Sequence, residues 1–233
     1  MKTLATVAFL VAAALPSAAG ELALELQGGY FDMAAKHSAK ALFDSSGGAT
    51  YGGALRYTVW RGAFVSAGLR TFSKDGERVF LLSPGGAIQK LGFPVSVELR
   101  PILLMAGYRL RHGQLVVPYA AIGAAITSYT ETSNVAGESF DSDASKTGFV
   151  GAAGVEVGRG HFRFGAELGY STVSGVVGIG GVSQVYGEDD IGGFHVIGKV
   201  AVAFDIGGKS KPAAKPEPKP KPRPRPKPQR PKS

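Results

Sequence analysis

The 233-residue chain contains no cysteine, so no disulfide can stabilise its fold. Beyond residue 20 it has no apolar run of 18 residues or more, which excludes an ordinary transmembrane helix. Helical periodicity is missing, whereas apolar and polar residues alternate repeatedly and glycine is abundant at 34 residues. A two-residue period is typical of a half-buried β-strand. The sequence therefore predicts an all-β protein.

The first 20 residues differ from the rest of the chain. A single Lys2 is followed by an apolar run, and small side chains stand at Ser17 and Ala19. This order is typical of a secretory signal peptide, with cleavage expected after Ala19 or Gly20. We therefore expect residues 1–20 to be a signal peptide and the mature chain to leave the cytoplasm.

The last 25 residues, 209–233, alternate Lys or Arg with Pro. They hold ten basic residues against Glu217 and no large apolar side chain, so we expect a disordered tail. The formal net charge of the tail is +9, whereas that of the whole chain is +8. Residues 21–208 carry −2 once Lys2 is also set aside, so the basic balance does not indicate a nucleic-acid-binding fold.

Eight alternating segments are expected to be strands. They span residues 21–31, 50–60, 63–72, 95–110, 115–128, 147–157, 162–172 and 193–206. Their connections alternate between three short ones, within 61–62, 111–113 and 158–161, and four long ones, within 32–49, 73–94, 129–146 and 173–192. Transmembrane β-barrels have short turns on one side and long loops on the other. An even number of strands places both chain ends on the short-turn side.

The expected strands have one apolar and one polar face, and the inward face decides the class of protein. The polar set balances five acidic against five basic side chains among mostly small residues. It comprises Glu25, Arg56, Arg70, Glu98, Arg100, Glu156, Arg163, Glu167, Lys199 and Asp205. Unpaired charges in a narrow tube would cost several kcal/mol each, so a balanced set fits a lumen in which charges pair. We therefore expect an ion-pair network inside and apolar side chains outside.

The two middle strands are less clear. On the fourth, we place Val97, Leu99 and Leu103 outside because Glu98 and Arg100 alternate with them. The fifth strand is apolar on both faces and is left without an orientation. Pro101 and Pro118 also conflict with a closed barrel, which offers no free edge for a missing N–H, so we expect a bulge or a position near the membrane boundary.

A soluble barrel of the lipocalin kind is the alternative, with the apolar set inside around a ligand. It predicts an exterior rich in Lys and Glu, whereas none of these strands carries more than three charges. It also leaves the alternation of short turns and long loops unexplained.

Two segments, "VPYAAIGAAI" at 117–126 and "FHVIGKVAVAFDI" at 194–206, resemble strands of small outer-membrane barrels of Gram-negative bacteria, namely the OmpA membrane domain, OmpX and OmpW-like proteins. The resemblance covers residues 21–208 and lies in architecture. It implies an eight-stranded antiparallel up-and-down transmembrane β-barrel in outer-membrane lipid, with both termini in the periplasm. In OmpA a folded peptidoglycan-binding domain follows the barrel, and here only the tail does.

Catalytic and metal-binding patterns are weak. The four histidines have no metal-ligand spacing, and no dinucleotide-binding fingerprint occurs. Some outer-membrane barrels modify lipid A with a Ser/His/acid set, for which His161, Ser171 and Glu167 are the available candidates. The acidic segments 131–146 and 187–193 offer a weak calcium site or, more simply, solvated external loops. We expect no cofactor and no catalytic or metal site.

The leading hypothesis is therefore a non-enzymatic outer-membrane barrel with a structural or surface-interaction role and an ion-paired lumen. The alternatives are a narrow channel or OmpW-like conduit for small or hydrophobic solutes and, third, a lipid A-modifying enzyme. An extended polyproline II tail would reach about 75–80 Å and could contact peptidoglycan or an acidic periplasmic partner. Its basic contact residues would be Lys215, Lys219, Lys221, Arg223, Arg225, Lys227 and Arg230. The oligomeric state stays open.

Overall fold

The computed structural model describes residues 20–59, 62–110, 114–135, 138–178 and 181–206. Residues 1–19 of the predicted signal peptide and the basic tail, 209–233, lie outside these residues, whereas Gly20 is the first residue of a strand.

Eight antiparallel strands form one closed barrel, in which each strand pairs with its neighbours in sequence and the last pairs with the first. The strands are β1 (Gly20–Met33), β2 (Gly47–Thr58), β3 (Ala63–Phe80), β4 (Gln89–Arg109), β5 (Val116–Val135), β6 (Glu138–Arg159), β7 (Phe162–Thr172) and β8 (Gly193–Ile206). Helices α1 (Lys36–Phe43) and α2 (Gly181–Tyr186) lie in the β1–β2 and β7–β8 connections. The predicted eight-stranded up-and-down barrel is confirmed.

Neither helix of the described part is long and apolar enough to cross a membrane.

The barrel has a turn end and a loop end, as the connection lengths predict. The turn end carries the short β2–β3, β4–β5 and β6–β7 connections together with the first and last strand residues, Gly20 and Ile206, which pair with each other. In the β6–β7 turn Gly160 has a φ of 65°, which glycine adopts without the steric cost that other residues meet. The loop end carries α1, α2 and two long hairpins.

Those two hairpins replace two of the predicted long loops. Strands β3 and β4 extend through most of 73–94, and β5 and β6 extend through nearly all of 129–146. Polar residues occupy both faces there, so the alternation that marks a strand is absent from the sequence. Cross-strand hydrogen bonds stabilise the second hairpin: Thr130 donates to Asp143 across 2.7 Å and Thr132 donates to Asp141 across 2.8 Å.

An apolar belt surrounds the outside of the barrel, and Leu26 and Phe149 are 70% and 79% exposed. Soluble proteins rarely expose so continuous an apolar surface. The belt runs along about nine to eleven residues of a strand, the length that a tilted strand needs to cross a membrane. Its members include Leu24, Tyr51, Leu55, Val65, Leu69, Ile122, Val155, Phe162, Phe164, Leu168, Phe194, Val196, Val200 and Phe204. This arrangement is opposite to the lipocalin alternative.

The predicted orientation of β4 is wrong. Val97 and Leu99 face the interior and are each 2% exposed, whereas Glu98 and Arg100 face outward. Both faces of β4 are apolar over part of their length: the inner face towards the loop end, and the outer face towards the turn end. Alternation alone therefore does not distinguish them, and pairing with β3 and β5 fixes the phase.

The structure accommodates Pro101 without a change of register. The β3–β4 pairing joins Leu69 to Ile102 and Phe72 to Leu99, but the two intervening residue pairs are missing from the ladder. The one register shift in this pair of strands lies elsewhere, between Glu77 and Val79. A local interruption of the ladder, and not a bulge, is thus the answer to the missing N–H.

Strand β5, which the sequence leaves unoriented, places two tyrosines inside. Tyr119 and Tyr129 are buried, whereas Ile122 is exposed to the outside. Pro118 lies on the outer face near the turn end, and its carbonyl accepts a hydrogen bond from the Leu110 N–H. Pro118 is the third residue of β5, and its position near the membrane boundary stays a prediction.

Candidate functional site

The lumen near the turn end contains a network of buried charges to which all eight strands contribute. Glu156 of β6 lies at its centre. Arg109 of β4 donates from Nη2 to Glu156 Oε2 across 3.0 Å, and Arg56 of β2 donates to both carboxylate oxygens, with Nη2 and Oε2 3.2 Å apart. A carboxylate held by two guanidinium groups is well compensated for its removal from water.

A second centre is Glu167 of β7. Arg70 of β3 donates from Nη2 to Oε1 across 2.7 Å, and the Tyr119 hydroxyl of β5 donates to Oε2 across 2.9 Å. Lys199 of β8 donates to the same Oε2, and its ammonium lies 5.1 Å from the centre of the Tyr119 ring. His195 of β8 also faces this carboxylate, with Nε2 3.7 Å from Oε1. Side chains from three strands thus converge on one acid.

Strand β1 joins the two centres. Glu21 accepts hydrogen bonds from Arg109, across 2.9 Å, and from Arg163. Glu25 lies 3.0 Å from Arg56 and 3.6 Å from Lys199. The Gln27 side chain donates to Glu25 and accepts from Arg70 Nε. The network is therefore continuous across the lumen, with four carboxylates against five basic side chains.

Small residues make room for the large ones, as the sequence indicates. The Tyr119 ring lies against Gly154, its partner on β6, where an added Cβ would come within 2.6 Å of the phenol oxygen. The His195 ring covers Gly169 of β7 in the same way, too closely for any side chain there. Glycine at these two positions leaves room for the ring of the neighbouring strand.

The structure brings together seven of the ten charged residues predicted for the lumen. These are Glu25, Arg56, Arg70, Glu156, Arg163, Glu167 and Lys199. Glu98 and Arg100 instead pair with each other on the outer surface, with Oε1 and Nε 2.7 Å apart, because β4 has the opposite phase. Asp205 is exposed in the last turn-end residues of β8, where the lumen opens to solvent.

Five members of the network were not predicted. Glu21, Gln27, Arg109, Tyr119 and His195 are all buried. Glu21 and Gln27 share the alternation of Glu25, so the pattern of β1 does identify them. Arg109 is missing from the prediction because the sequence suggests the wrong orientation for β4. Tyr119 is missing because both faces of β5 are apolar in the sequence.

The residues considered for catalysis are not assembled. His161 and Ser171 lie at opposite ends of the 11-residue β7, and Glu167 belongs to the buried network. The His161 ring contacts the Ala203 carbonyl, with Nδ1 and O 2.8 Å apart.

The acidic segments considered for calcium contain no grouping of three potential ligands among the described residues. Asp141 and Asp143 accept from threonines, and Glu131 accepts from Tyr129 and Arg78. Asp190 accepts from the N–H groups of Val173 and Gly192. These carboxylates therefore stabilise the loops that contain them.

An apolar core fills the loop-end half of the lumen above the charges. It joins inward residues of the strands to α1 and to the β7–β8 connection. Its buried members are Met33, Ala39, Phe43, Phe72, Val95, Val97, Leu99, Leu103, Ala125, Tyr129, Val150, Val173 and Ile191. Burial of this apolar surface stabilises α1 across the mouth of the barrel.

Glu188 holds the two loop-end connections together. Its carboxylate accepts hydrogen bonds from the N–H groups of His37 and Ser38 at the start of α1 and from the Ser38 hydroxyl, at 2.7–3.0 Å. The His37 Nδ1 lies 2.9 Å from the same carboxylate. Burial acts to raise the pKa of Glu188, but the hydrogen bonds from Ser38 and His37 outweigh it and hold the pKa below the usual value. We name this contact the Glu188 latch.

Two small cavities lie inside the described barrel, at and below the boundary between the apolar core and the network. One cavity of about 40 Å³ lies between the apolar core and the network, beside Arg70, Phe72 and His195. Another of about 20 Å³ lies within the network beside Glu25 and Tyr119. Each cavity has room for only a few water molecules, and neither forms a wide aqueous path.

No protein-family model matches the chain, and comparison with curated protein sequences gives no significant match. Solved structures do share the fold. A major outer membrane protein of Thermus thermophilus is 10% identical, with 79% of this chain and 99% of that one aligned at a TM-score of 0.50. OprG of Pseudomonas aeruginosa is 13% identical over 80% and 96%, with a TM-score of 0.49. The N-terminal β-barrel domain of Pseudomonas aeruginosa OprF is 15% identical over 79% and 97%, with a TM-score of 0.46. With its closed ring of eight strands and its apolar outer belt, the chain has the fold of the small eight-stranded outer-membrane β-barrels.

Proposed function

We propose that the protein is a non-enzymatic outer-membrane β-barrel with a structural or surface-interaction role, whose lumen does not conduct. The lipid environment follows from the apolar belt, which a water-soluble protein would expose at a large cost in free energy. Both ends of the barrel lie at its turn end, which in this class of barrels faces the periplasm.

The observation that carries the proposal is the double closure of the lumen. The turn-end half of the lumen is filled by the mutually paired charges around Glu156 and Glu167. The loop-end half is filled by the apolar core that α1 covers. An aqueous pore would need a continuous polar path, and the apolar half supplies none. A hydrophobic conduit would need a continuous apolar path, and the charged half interrupts it.

Planar-bilayer conductance tests this closure. Because two barriers are in series, we expect no sustained conductance from the wild-type protein or from Arg70→Ala alone. The double variant Arg70→Ala/Phe72→Ala removes two inward side chains beside the 40 Å³ cavity and should leak. The matched control is Glu98→Ala/Arg100→Ala, which removes an outward-facing ion pair and should stay closed. Sustained wild-type channels would overturn the proposal and favour the channel alternative.

The loops and hairpins provide the surface for interaction. The β3–β4 hairpin places Phe80, Leu82 and Ile88 in solvent beyond the barrel, and the β5–β6 hairpin exposes Phe140 among acidic residues. Exposed aromatic and aliphatic side chains on projecting hairpins are suited to contact with another macromolecule.

The basic tail, residues 209–233, extends the proposal to the periplasm. It would leave the barrel from β8 at the turn end and meet anionic cell wall, or an acidic partner, by non-specific electrostatic attraction. Peptidoglycan is the partner that this arrangement favours, because an envelope protein anchored in the outer membrane places the tail within reach of it.

A further inference from the structure

A cavity of about 320 Å³ opens at the loop end of the barrel, outside the network and above most of the apolar core. Four parts of the chain enclose it: α1, α2 with the adjoining β7–β8 connection, the β3–β4 hairpin and the inner face of β4 and β5. Most of its wall is apolar. The apolar lining includes Met33, Leu42, Val97, Val177, Val182 and Ile191.

The polar side chains in the lining already have partners. Arg78 donates from Nη2 to Glu131 across 3.2 Å and to the Ser133 hydroxyl across 3.1 Å, and the Tyr129 hydroxyl donates to Glu131 across 2.7 Å. Ser38 donates to Glu188, and Ser183 accepts from the Gly178 N–H. The charges of Arg78 and Glu131 thus compensate each other, and an ionic ligand would find no opposite charge among the described lining residues that is not already paired.

The cavity is closed towards the barrel interior. Val97 and Tyr129 of its floor are packed in the same core as Leu99, Leu103 and Val150, and the charged network lies beneath them. Access is therefore from the outer side, between the two helices and the β3–β4 hairpin. A molecule that enters the cavity finds no continuous apolar path through the lumen to the turn end.

We propose that this cavity is a binding site for one small, neutral, apolar molecule, which the barrel captures at its loop end without passing it through. Pockets for small ligands commonly begin near 300 Å³, and an apolar cavity of about 150 Å³ holds benzene, so the volume fits a molecule of about two fused aromatic rings. The proposal goes beyond the structural role proposed above and does not depend on the tail or on a partner.

Naphthalene is a suitable probe, presented to the full-length protein in lipid nanodiscs. Methyl NMR spectra should show saturable shifts confined to lining residues such as Met33, Leu42 and Val177, relative to methyl groups of the lipid-facing Leu24 and Leu168. Nanodiscs without protein measure partition of the probe into lipid.

The variant Val182→Trp should fill the cavity and weaken binding at least tenfold. Its control, Leu82→Trp, adds the same ring at a hairpin-tip position that is 84% exposed and does not line the cavity, and should bind as the wild type does. Val177→Phe is a second filling variant from another segment. Heat-modifiable mobility on unboiled gels establishes that each barrel is folded.

Absence of saturable shifts in the wild type would overturn the proposal, as would equal binding by both filling variants and the control. Shifts spread equally over lipid-facing methyl groups would show partition into the bilayer only and would also overturn it. Planar-bilayer conductance is measured separately. A conducting wild-type protein would contradict the closed lumen, and the NMR titration would still decide whether the cavity binds the probe.

Discussion

Arg109 of β4 and Glu156 of β6 form a buried ion pair across the lumen, with Nη2 and Oε2 3.0 Å apart. The same guanidinium contacts Glu21 of β1 through Nη1, at 2.9 Å. One side chain therefore ties three strands together at the turn end, where the barrel begins and closes. Because Arg109 is almost completely shielded from solvent, its partners depend on it for compensation of their own burial.

We expect Arg109→Ala to destabilise the folded barrel by about 3–5 kcal/mol, since it leaves two carboxylates partly uncompensated in a buried site. Urea-induced unfolding in lipid vesicles, followed by tryptophan fluorescence or by gel mobility, measures the change. Arg100→Ala removes the same side chain from an outward-facing pair and should cost about 1 kcal/mol or less. Equal losses in the two variants would contradict the inward placement of Arg109.

Alternation along single strands was enough to predict the barrel and most of its charged interior. Strands such as β7 and β8 carry charges on one face only, so Glu167 and Lys199 identify the lumen without knowledge of the partners. On β4 the rule fails, because Leu99 faces an apolar part of the lumen while the outward Arg100 lies above the belt. Which apolar face is covered depends on α1 and on the β7–β8 connection, whose positions no local pattern encodes. For the same reason the Glu188 latch, which joins residues 150 apart in the chain, could not be foreseen.

The absence of native cysteine makes the phase of β4 directly measurable by labelling of single-cysteine variants. In lipid vesicles Arg100→Cys should react rapidly with a water-soluble maleimide, because the side chain at this position is 63% exposed and lies next to a charged residue. Leu99→Cys should be protected at least a hundredfold until the protein is unfolded, because this position faces the packed core. Labelling rates in the opposite order would restore the orientation that the sequence suggests.

Single cysteines at outward positions of β4 nearer the turn end should differ from Arg100→Cys in the reagent that labels them, because they face lipid. Leu104 lies on the lipid-facing side of β4, two residues beyond Ile102 towards the turn end. We expect Leu104→Cys to react with a hydrophobic maleimide but not with the water-soluble one. Free reaction of Leu104→Cys with the water-soluble reagent in vesicles would contradict the membrane belt.

The Glu188 latch should respond to pH. Because the pKa of Glu188 is lowered in the folded protein, its contribution is fully present above the ordinary carboxyl value of 4.5 and is lost as the pH falls through the lowered value. Amide hydrogen exchange in α1 should therefore accelerate in acid, after correction for the intrinsic exchange rates.

Glu188→Gln should reproduce the open latch at neutral pH. We expect exchange in α1 to be several-fold faster than in the wild type and to lose its dependence on acid, while the barrel strands stay protected. Asp189→Asn is the matched control, because it neutralises the adjacent, exposed carboxyl and should leave α1 unchanged. Unaltered exchange in Glu188→Gln would show that the apolar core alone holds α1 in place.

The basic tail can be tested by separating its charge from its length. Deletion of residues 209–233 should abolish co-sedimentation of the detergent-extracted protein with purified peptidoglycan, since the rest of the chain is mildly acidic and would be repelled by anionic polymer. A second variant replaces every Lys and Arg of the tail with Gln and keeps each Pro, so the extended spacing is retained while the charge is lost. This variant should fail to co-sediment, as the deletion does. Binding of the wild-type protein should weaken steeply between about 50 mM and 500 mM salt, because exposed charges are screened over this range. If the Gln variant sediments as the wild type does, the proline spacing and not the charge is what the cell wall recognises, and if the deletion also sediments, contact with peptidoglycan belongs to the barrel.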